Sequence, residues 1–388
     1  MTSRRSAGGT AVVAEADRAV VRVPFVDLHR LHAPLKEAIV ADIAALIDSG
    51  AFVNGEPVRA FEDAFARFCR ADHVVGVASG LDALRLALLA AGIGPGDDVI
   101  VPANTFIATV EAVSQTGARP VLVDVSSRDY NLDVAAVEAA ITAHTSAMLP
   151  VHLYGQLADM RSLRLVAARH GLIVLEDACQ AHGASRDGLV PGEGTVGAAF
   201  SFYPGKNLGA MGDAGALATG SDVLAERVRA LREHGQTAKY RHEVEGYTSR
   251  LDAIQALVLL RKLPQLVRWN DERRAVAAAY GELADLGDLV LPPVAPGSEP
   301  VWHLYVVQTD DPSALAAYLA ERGIATGRHY PQPTHLSPAY AALGYSPGAF
   351  PVTEQLAAHG LSLPMFAGMS PAEVELVVTS IRGYFSGD

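Results

Sequence analysis

The chain has 388 residues, of which 50% are apolar, and 31 Lys+Arg against 43 Asp+Glu give a formal charge of −12. This size buries a core without disulfide or metal staples, and at roughly 150 residues per domain it predicts two or three domains. The acidic balance argues against nucleic acid or anionic membrane as the main partner, and no apolar run approaches the roughly eighteen residues of a membrane span. Two cysteines, Cys69 and Cys179, form no disulfide framework and point to a reducing compartment, the cytoplasm. No histidine spacing matches a metal-ligand motif, so no metal is expected.

Residues 1–20 read as a flexible Ala/Gly/Ser-rich tail. The apolar stretch that follows Arg4 and Arg5 is cut by Glu15, Asp17 and Arg18, too soon for a signal-peptide core. Helical spacing covers Pro34–Ile47 and Pro57–Phe68. Short β-branched runs follow at Val74–Val77, Val99–Val101, Val121–Val125, Met148–His152 and Leu172–Leu175, separated by amphipathic stretches such as Leu81–Ala91 and Met160–His170. That alternation predicts an α/β fold with a mostly parallel sheet covered by helices on both faces. Runs at Ala198–Phe202 and Ala214–Thr219 lack a long helix between them, so the sheet is expected to be mixed. After Gly246, helices are expected over Leu251–Trp269 and Asp271–Leu286. A strand at Trp302–Gln308, a helix at Pro312–Arg322, a Pro-rich loop over 331–338 and a helix from Pro371 to Phe385 complete the pattern. The expected division is a large domain over 21–265 and a smaller α+β domain over 266–388.

Gly192, Gly194 and Gly197 match a dinucleotide-binding glycine pattern, but they follow a turn and enter a strand, whereas pyrophosphate binding needs a strand that opens a helix. The segment Val77–Asp82 meets that need better. A strand ends, Ser79 and Gly80 turn, and a helix begins at Leu81, where free N–H groups favour either a phosphate or a plain cap from the Ser79 hydroxyl. The apolar run Leu172–Leu175 places Asp177 at the carboxyl end of a strand, where open α/β sheets bind ligands. Lys206 lies in an apolar, glycine-rich loop directly after another strand, surroundings that favour the neutral amine required for Schiff-base chemistry. A phosphate cradle, a strand-end aspartate and a desolvated lysine are together the protein groups that pyridoxal 5′-phosphate (PLP) requires.

With those residues in place, the chain resembles the DegT/DnrJ/StrS sugar aminotransferases, enzymes of the fold-type I PLP class. The resemblance runs from Val21 to the last helix and is carried by the stretches 21–28, 102–108, 176–183 and 201–209. Stretches 150–156, 249–252, 301–304 and 329–335 look most like the branch that aminates C3 of nucleotide-linked 3-keto-6-deoxyhexoses, the desosamine and mycaminose type. The resemblance implies a transfer of nitrogen from an amino acid, L-glutamate, to a TDP-linked keto-deoxysugar, with pyridoxamine 5′-phosphate as the intermediate form of the cofactor. It implies that Lys206 binds PLP covalently and shuttles the proton, and that Asp177 holds the ring nitrogen protonated. It further implies that Gln180 meets the ring hydroxyl, Phe106 stacks on the ring, and Ser201 with the Gly80 and Leu81 amides holds the phosphate. Family members share sites across a homodimer, and Thr248 stands where an Asn usually reaches the neighbour's phosphate. Tyr203, His329, Tyr330 and His335 resemble substrate contacts. Lys239 and Tyr240 sit in a basic–aromatic cluster over 239–242 that reads either as a contact for a partner subunit's sugar nucleotide or as an exposed charged loop. Rival readings are a 4-keto-sugar or cyclitol-ketone aminotransferase, a sugar 3-dehydratase, which carries His in place of the lysine, and a non-catalytic PLP-fold regulator.

Overall fold

The computed structural model describes residues 22–387, so the expected tail over 1–20 lies outside the described residues. The main sheet has seven strands: β1 (His73–Val77), β2 (Asp98–Pro102), β3 (Arg119–Val123), β4 (Thr145–Met148), β5 (Ile173–Asp177), β6 (Gly197–Ser201) and β7 (Gly215–Thr219). Their order across the sheet is β1-β7-β6-β5-β4-β2-β3. β7 runs antiparallel to both β1 and β6, and every other pairing is parallel. The fold is therefore α/β with a mostly parallel, mixed sheet flanked by helices, as the alternating pattern predicts. All residues of β2 and β7 are buried. Strands covered on both faces lose the polar alternation of a half-exposed strand, which is why these segments read as continuous apolar runs.

Three elements differ from the expected ones, two of them at a proline and the third through a distant strand partner. β4 ends at Met148, not at His152. Pro150 has no N–H for a ladder, and Val151 makes only an isolated bridge to Asp177. The expected helix over Leu251–Trp269 is split into Ala253–Lys262 and Leu266–Tyr280, joined by the 3₁₀ turn Leu263–Gln265 that contains Pro264. The helix Pro351–His359 and the strand Gly360–Leu363 occupy a stretch where no element is expected from the sequence, and that strand pairs with Tyr305–Gln308.

A separate apolar core lies beyond the sheet. It gathers Val276, Tyr280, Val307, Leu319, Leu363 and Ile381 with Val23 from the other end of the chain. Val23 is held there by a bridge to Ile324. The helix Leu266–Tyr280 links the two regions, with Leu266 in the core under the sheet and Tyr280 in the second core. Among the described residues no helix is long and apolar enough to cross a membrane.

Candidate active site

The ends of β1, β2, β5 and β6 open onto one cavity of about 590 Å³, at the carboxyl edge of the parallel strands where ligands bind in open α/β sheets. Its walls include Gly80, Leu81, Phe106, Asp177, Gln180, Ser201, Tyr203, Lys206, His329 and Tyr330. The cavity thus brings together ten of the candidate residues from five separate stretches of sequence.

The anion-binding end is built by local sequence. The helix Gly80–Ala90 begins after Ser79, whose Oγ accepts from the Asp82 amide at 3.1 Å. The capping expectation for Ser79 therefore holds, and it leaves room for a ligand. The Gly80 and Leu81 amides find no acceptor among the described residues, as expected at the first turn of a helix. Gly80 is required by close approach. A Cβ there would lie 2.6 Å from Cys179 Sγ and 2.7 Å from Ser201 Cβ. Free N–H groups, the positive end of a helix and the Ser201 hydroxyl in one corner fit a phosphate. Gly80→Ala is expected to displace Ser201, cost about 1–3 kcal/mol by overpacking, and weaken cofactor retention. Denaturant midpoints and equilibrium dialysis against PLP check it.

The opposite end is set by Asp177, which is 6% exposed. The Cys179 amide donates to its Oδ1 at 3.1 Å and Thr109 Oγ1 donates to Oδ2 at 2.7 Å. Thr105 Oγ1 lies 2.7 Å from Thr109 Oγ1 and continues the chain. Two donors leave the carboxylate with acceptor capacity toward the cavity, enough for a protonated pyridine nitrogen. Thr109 has no signal in sequence reasoning, because its value comes from facing Asp177 across 68 positions of chain. Beside it, burial and the Asp177 charge push the Cys179 thiol well above its ordinary pKa. Cys179 is therefore an uncharged packing group, not a nucleophile.

Lys206 rides a tight loop after β6. Its amide bonds to Tyr203 O at 2.8 Å, and Ala210 N bonds to Phe202 O at 2.7 Å. A Cβ on Gly209 would sit 2.2 Å from Pro204 O, so only glycine closes the turn. Burial lowers the Lys206 pKa from the ordinary lysine value, with the Asp177 carboxylate acting in the other direction. Desolvation thus wins and favours the neutral amine.

Gln180 is oriented by two neighbours. Its Oε1 accepts from the Tyr154 amide at 2.7 Å and its Nε2 donates to Tyr330 Oη at 3.1 Å. Tyr330 and Phe106 face each other with ring centroids 5.5 Å apart. Phe106 remains 52% exposed at the mouth, free to cover a planar ligand. His329 stacks on Phe25 and pairs with Ser362 Oγ at 2.8 Å.

Four candidates lie elsewhere in the chain. His335 is 2% exposed, with Nε2 3.0 Å from Glu354 and its ring edge-on to Phe350. It packs there, and it is not among the residues that line the cavity. Thr248 is exposed and lies beside His234. Lys239 and Tyr240 project on the hairpin formed by Gln236–Ala238 and Arg241–His242, where Tyr240 is 82% exposed and the Lys239 ammonium lies 5.3 Å from its ring centre. None of these three lines the cavity of its own chain. Among the described residues no group of three or more His, Cys, Asp or Glu side chains could hold a metal ion.

Residues 34–382 match the DegT/DnrJ/EryC1/StrS aminotransferase family. Among curated proteins, the chain is 50% identical over 362 residues to the dTDP-3-amino-3,4,6-trideoxy-alpha-D-glucose transaminase of Streptomyces venezuelae, covering 93% of this chain and 96% of that one. Among solved structures, DesV of S. venezuelae in complex with a ketimine intermediate superposes with a TM-score of 0.92 at 49% identity, over 94% of this chain and 98% of that one. NtdA from Bacillus subtilis with bound cofactor PMP gives a TM-score of 0.88 at 32% identity, over 95% and 86%. With matches of this extent, the chain belongs to the DegT/DnrJ/EryC1/StrS aminotransferase family.

Proposed function

We propose that the protein is a PLP-dependent aminotransferase that moves an amino group from an amino acid, L-glutamate, to the C3 ketone of a TDP-linked 3-keto-6-deoxyhexose. The observation that carries the chemistry is the single cavity that joins a desolvated lysine, a strand-end aspartate and an unsatisfied helix N-terminus. The C3 preference and the TDP carrier are supported by the names of the relatives. When bound, PLP supplies an electron sink for the electrons released at the donor Cα. Lys206 would hold the cofactor and carry the proton released at the donor Cα. Asp177 would accept from the ring nitrogen and favour its protonated form. Gln180 would meet the ring hydroxyl, Phe106 would cover the ring face, and Ser201 with the Gly80 and Leu81 amides would hold the phosphate. Tyr203, His329 and Tyr330 line the space left for the sugar. The C-terminal unit from residue 266 closes that space, since Tyr330, His329 and Met365 all come from it.

Turnover followed by mass spectrometry with L-glutamate and TDP-3-keto-6-deoxyglucose, against the same reaction with TDP-4-keto-6-deoxyglucose, tests the assignment. Preference for the 4-ketone sinks the C3 reading and leaves the transamination standing.

The working form in this proposal is a homodimer. The exposed hairpin with Lys239 and Tyr240, together with Thr248, is out of reach of its own cavity and serves the partner's. Random mixing of Lys206→Ala with a Lys239→Ala/Tyr240→Ala double variant is then expected to restore up to about a quarter of wild-type activity. Half of such dimers are mixed, and each mixed dimer holds one intact site. No recovery beyond the sum of the two parents would exclude a shared site.

A further inference from the structure

His303 lines the cavity, and its environment determines which ring nitrogen carries the proton. Two backbone carbonyls begin the chain of reasoning, because a carbonyl can only accept. The His182 carbonyl takes a hydrogen bond from Asn270 Nδ2 at 2.8 Å, so Asn270 turns its Oδ1 the other way. The Val301 carbonyl takes one from Asn207 Nδ2 at 2.9 Å, and the same Nδ2 donates to Asn270 Oδ1 at 2.9 Å. Both NH₂ protons of Asn207 are then in use, and its Oδ1 faces His303 Nδ1 at 3.2 Å. Flipping either amide would set oxygen against oxygen. Both asparagines are buried, at 3% and 2% exposure, so water does not scramble the order. Nδ1 of His303 must carry the proton.

The imidazole is also held uncharged. Burial lowers its pKa well below the ordinary value, and Lys206, Arg273, His182 and His329 are the charged or titratable neighbours that add to this. A neutral ring protonated at Nδ1 leaves Nε2 as a bare acceptor. Among the described residues nothing donates to Nε2. The backbone that carries the ring is fixed as well. Its amide bonds to Tyr154 O at 2.9 Å. Arg273 Nη1 clamps the carbonyls of Trp302, His303 and Met365 at 3.1, 3.4 and 2.8 Å.

We propose that His303 is a specificity-determining residue whose Nε2 accepts a hydrogen bond from a hydroxyl of the keto-sugar, setting the sugar ring in the cavity. A site built to accept from a hydroxyl discriminates strongly against analogues that lack it, because the buried acceptor is then left unpaired. The proposal rests on the sugar-aminotransferase reading for the identity of the donor, and not for the tautomer.

Two measurements test it. In the intact protein with ¹⁵N-labelled histidine, the signal lost in His303→Gln is expected to show a protonated Nδ1 and a bare Nε2 from pH 6 to 8. An Nε2–H tautomer or an imidazolium overturns the proposal irrespective of catalysis. Kinetically, His303→Phe is expected to lower kcat/KM for TDP-3-keto-6-deoxyglucose by about ten- to a hundredfold. The loss of visible cofactor absorbance on adding L-glutamate should slow much less. His303→Gln, whose amide oxygen offers an acceptor, should recover most of that loss. Equal losses in the two half-reactions, or no difference between Phe and Gln, refute the assignment. If the wild-type protein aminates no keto-sugar, the functional reading fails while the tautomer result stands on its own.

Discussion

Lys206→Ala is expected to abolish fixation of PLP to the chain by borohydride and to lower turnover by about 10³-fold or more. Two groups of observations set that magnitude. The loop from Phe202 to Ala210 is closed by its own backbone hydrogen bonds and by a glycine that no other residue can replace, so the amine is delivered to a defined place. Lys262 supports the same loop. Its ammonium donates to Gly209 O while the side chain is 1% exposed, and burial lowers its pKa to about 8. The sign of the Lys206 shift matters too. An amine whose pKa is lowered is neutral over a wider pH range, so PLP recapture by the apo protein should persist below the pH at which a free lysine stops reacting. The variant should fold normally. The Lys206 amine has no hydrogen-bond partner among the described residues, and its deletion strands no buried group. Rescue of turnover by a small amine such as methylamine checks that the proton carrier, and not the fold, was lost. Retention of borohydride fixation in Lys206→Ala would refute the assignment.

Asp177→Asn is expected to cost about 10²–10³-fold in turnover, the scale seen when a preorganised charge is removed from an active site. The geometry makes this a clean substitution. An asparagine can keep its Oδ1 on the Cys179 amide, and Thr109 can rotate its hydroxyl to accept from Nδ2. Only the cavity-facing charge and acceptor are lost. Thr109→Val leaves the charge and removes one support, so about a tenfold effect is expected. Stopped-flow spectra of the glutamate half-reaction separate the two variants. A Thr109→Val loss as large as that of Asp177→Asn would show that the carboxylate acts mainly through its hydrogen-bonded scaffold.

The strand–helix alternation and the ends of most strands were readable because apolar period and turn residues act over a few positions of chain. The same holds for Ser79 as a cap and for the loop that presents Lys206. Where reading failed, a long-range partner made the decision. The Met148–His152 run looks like a strand by composition, but its ladder stops at Met148 and His152 is instead buried against Glu176, with Nε2 at 2.7 Å. The stretch Pro351–Leu363 carries a helix and a strand that become sensible only when Gly360–Leu363 finds Tyr305–Gln308. His335 sits in the same Pro-rich stretch as Tyr330, and only packing shows that one faces the cavity and the other faces Phe350.

By itself, the sequence determined the class of fold, the exclusion of a strongly basic surface, and the identity of the chemical groups, since each depends on residue type or local spacing. The −12 charge stands, and the cavity wall carries Lys206, His303 and His329 beside Glu111, Asp177 and Asp213, because net charge is summed over the surface while a site is set by its lining. Only the tertiary structure decided that Thr109 braces Asp177, that Gly80 must stay bare against Cys179 and Ser201, and that two buried asparagines fix the proton on His303. Those facts are distances between residues far apart in the chain, and a burial pattern along one strand or helix does not encode them.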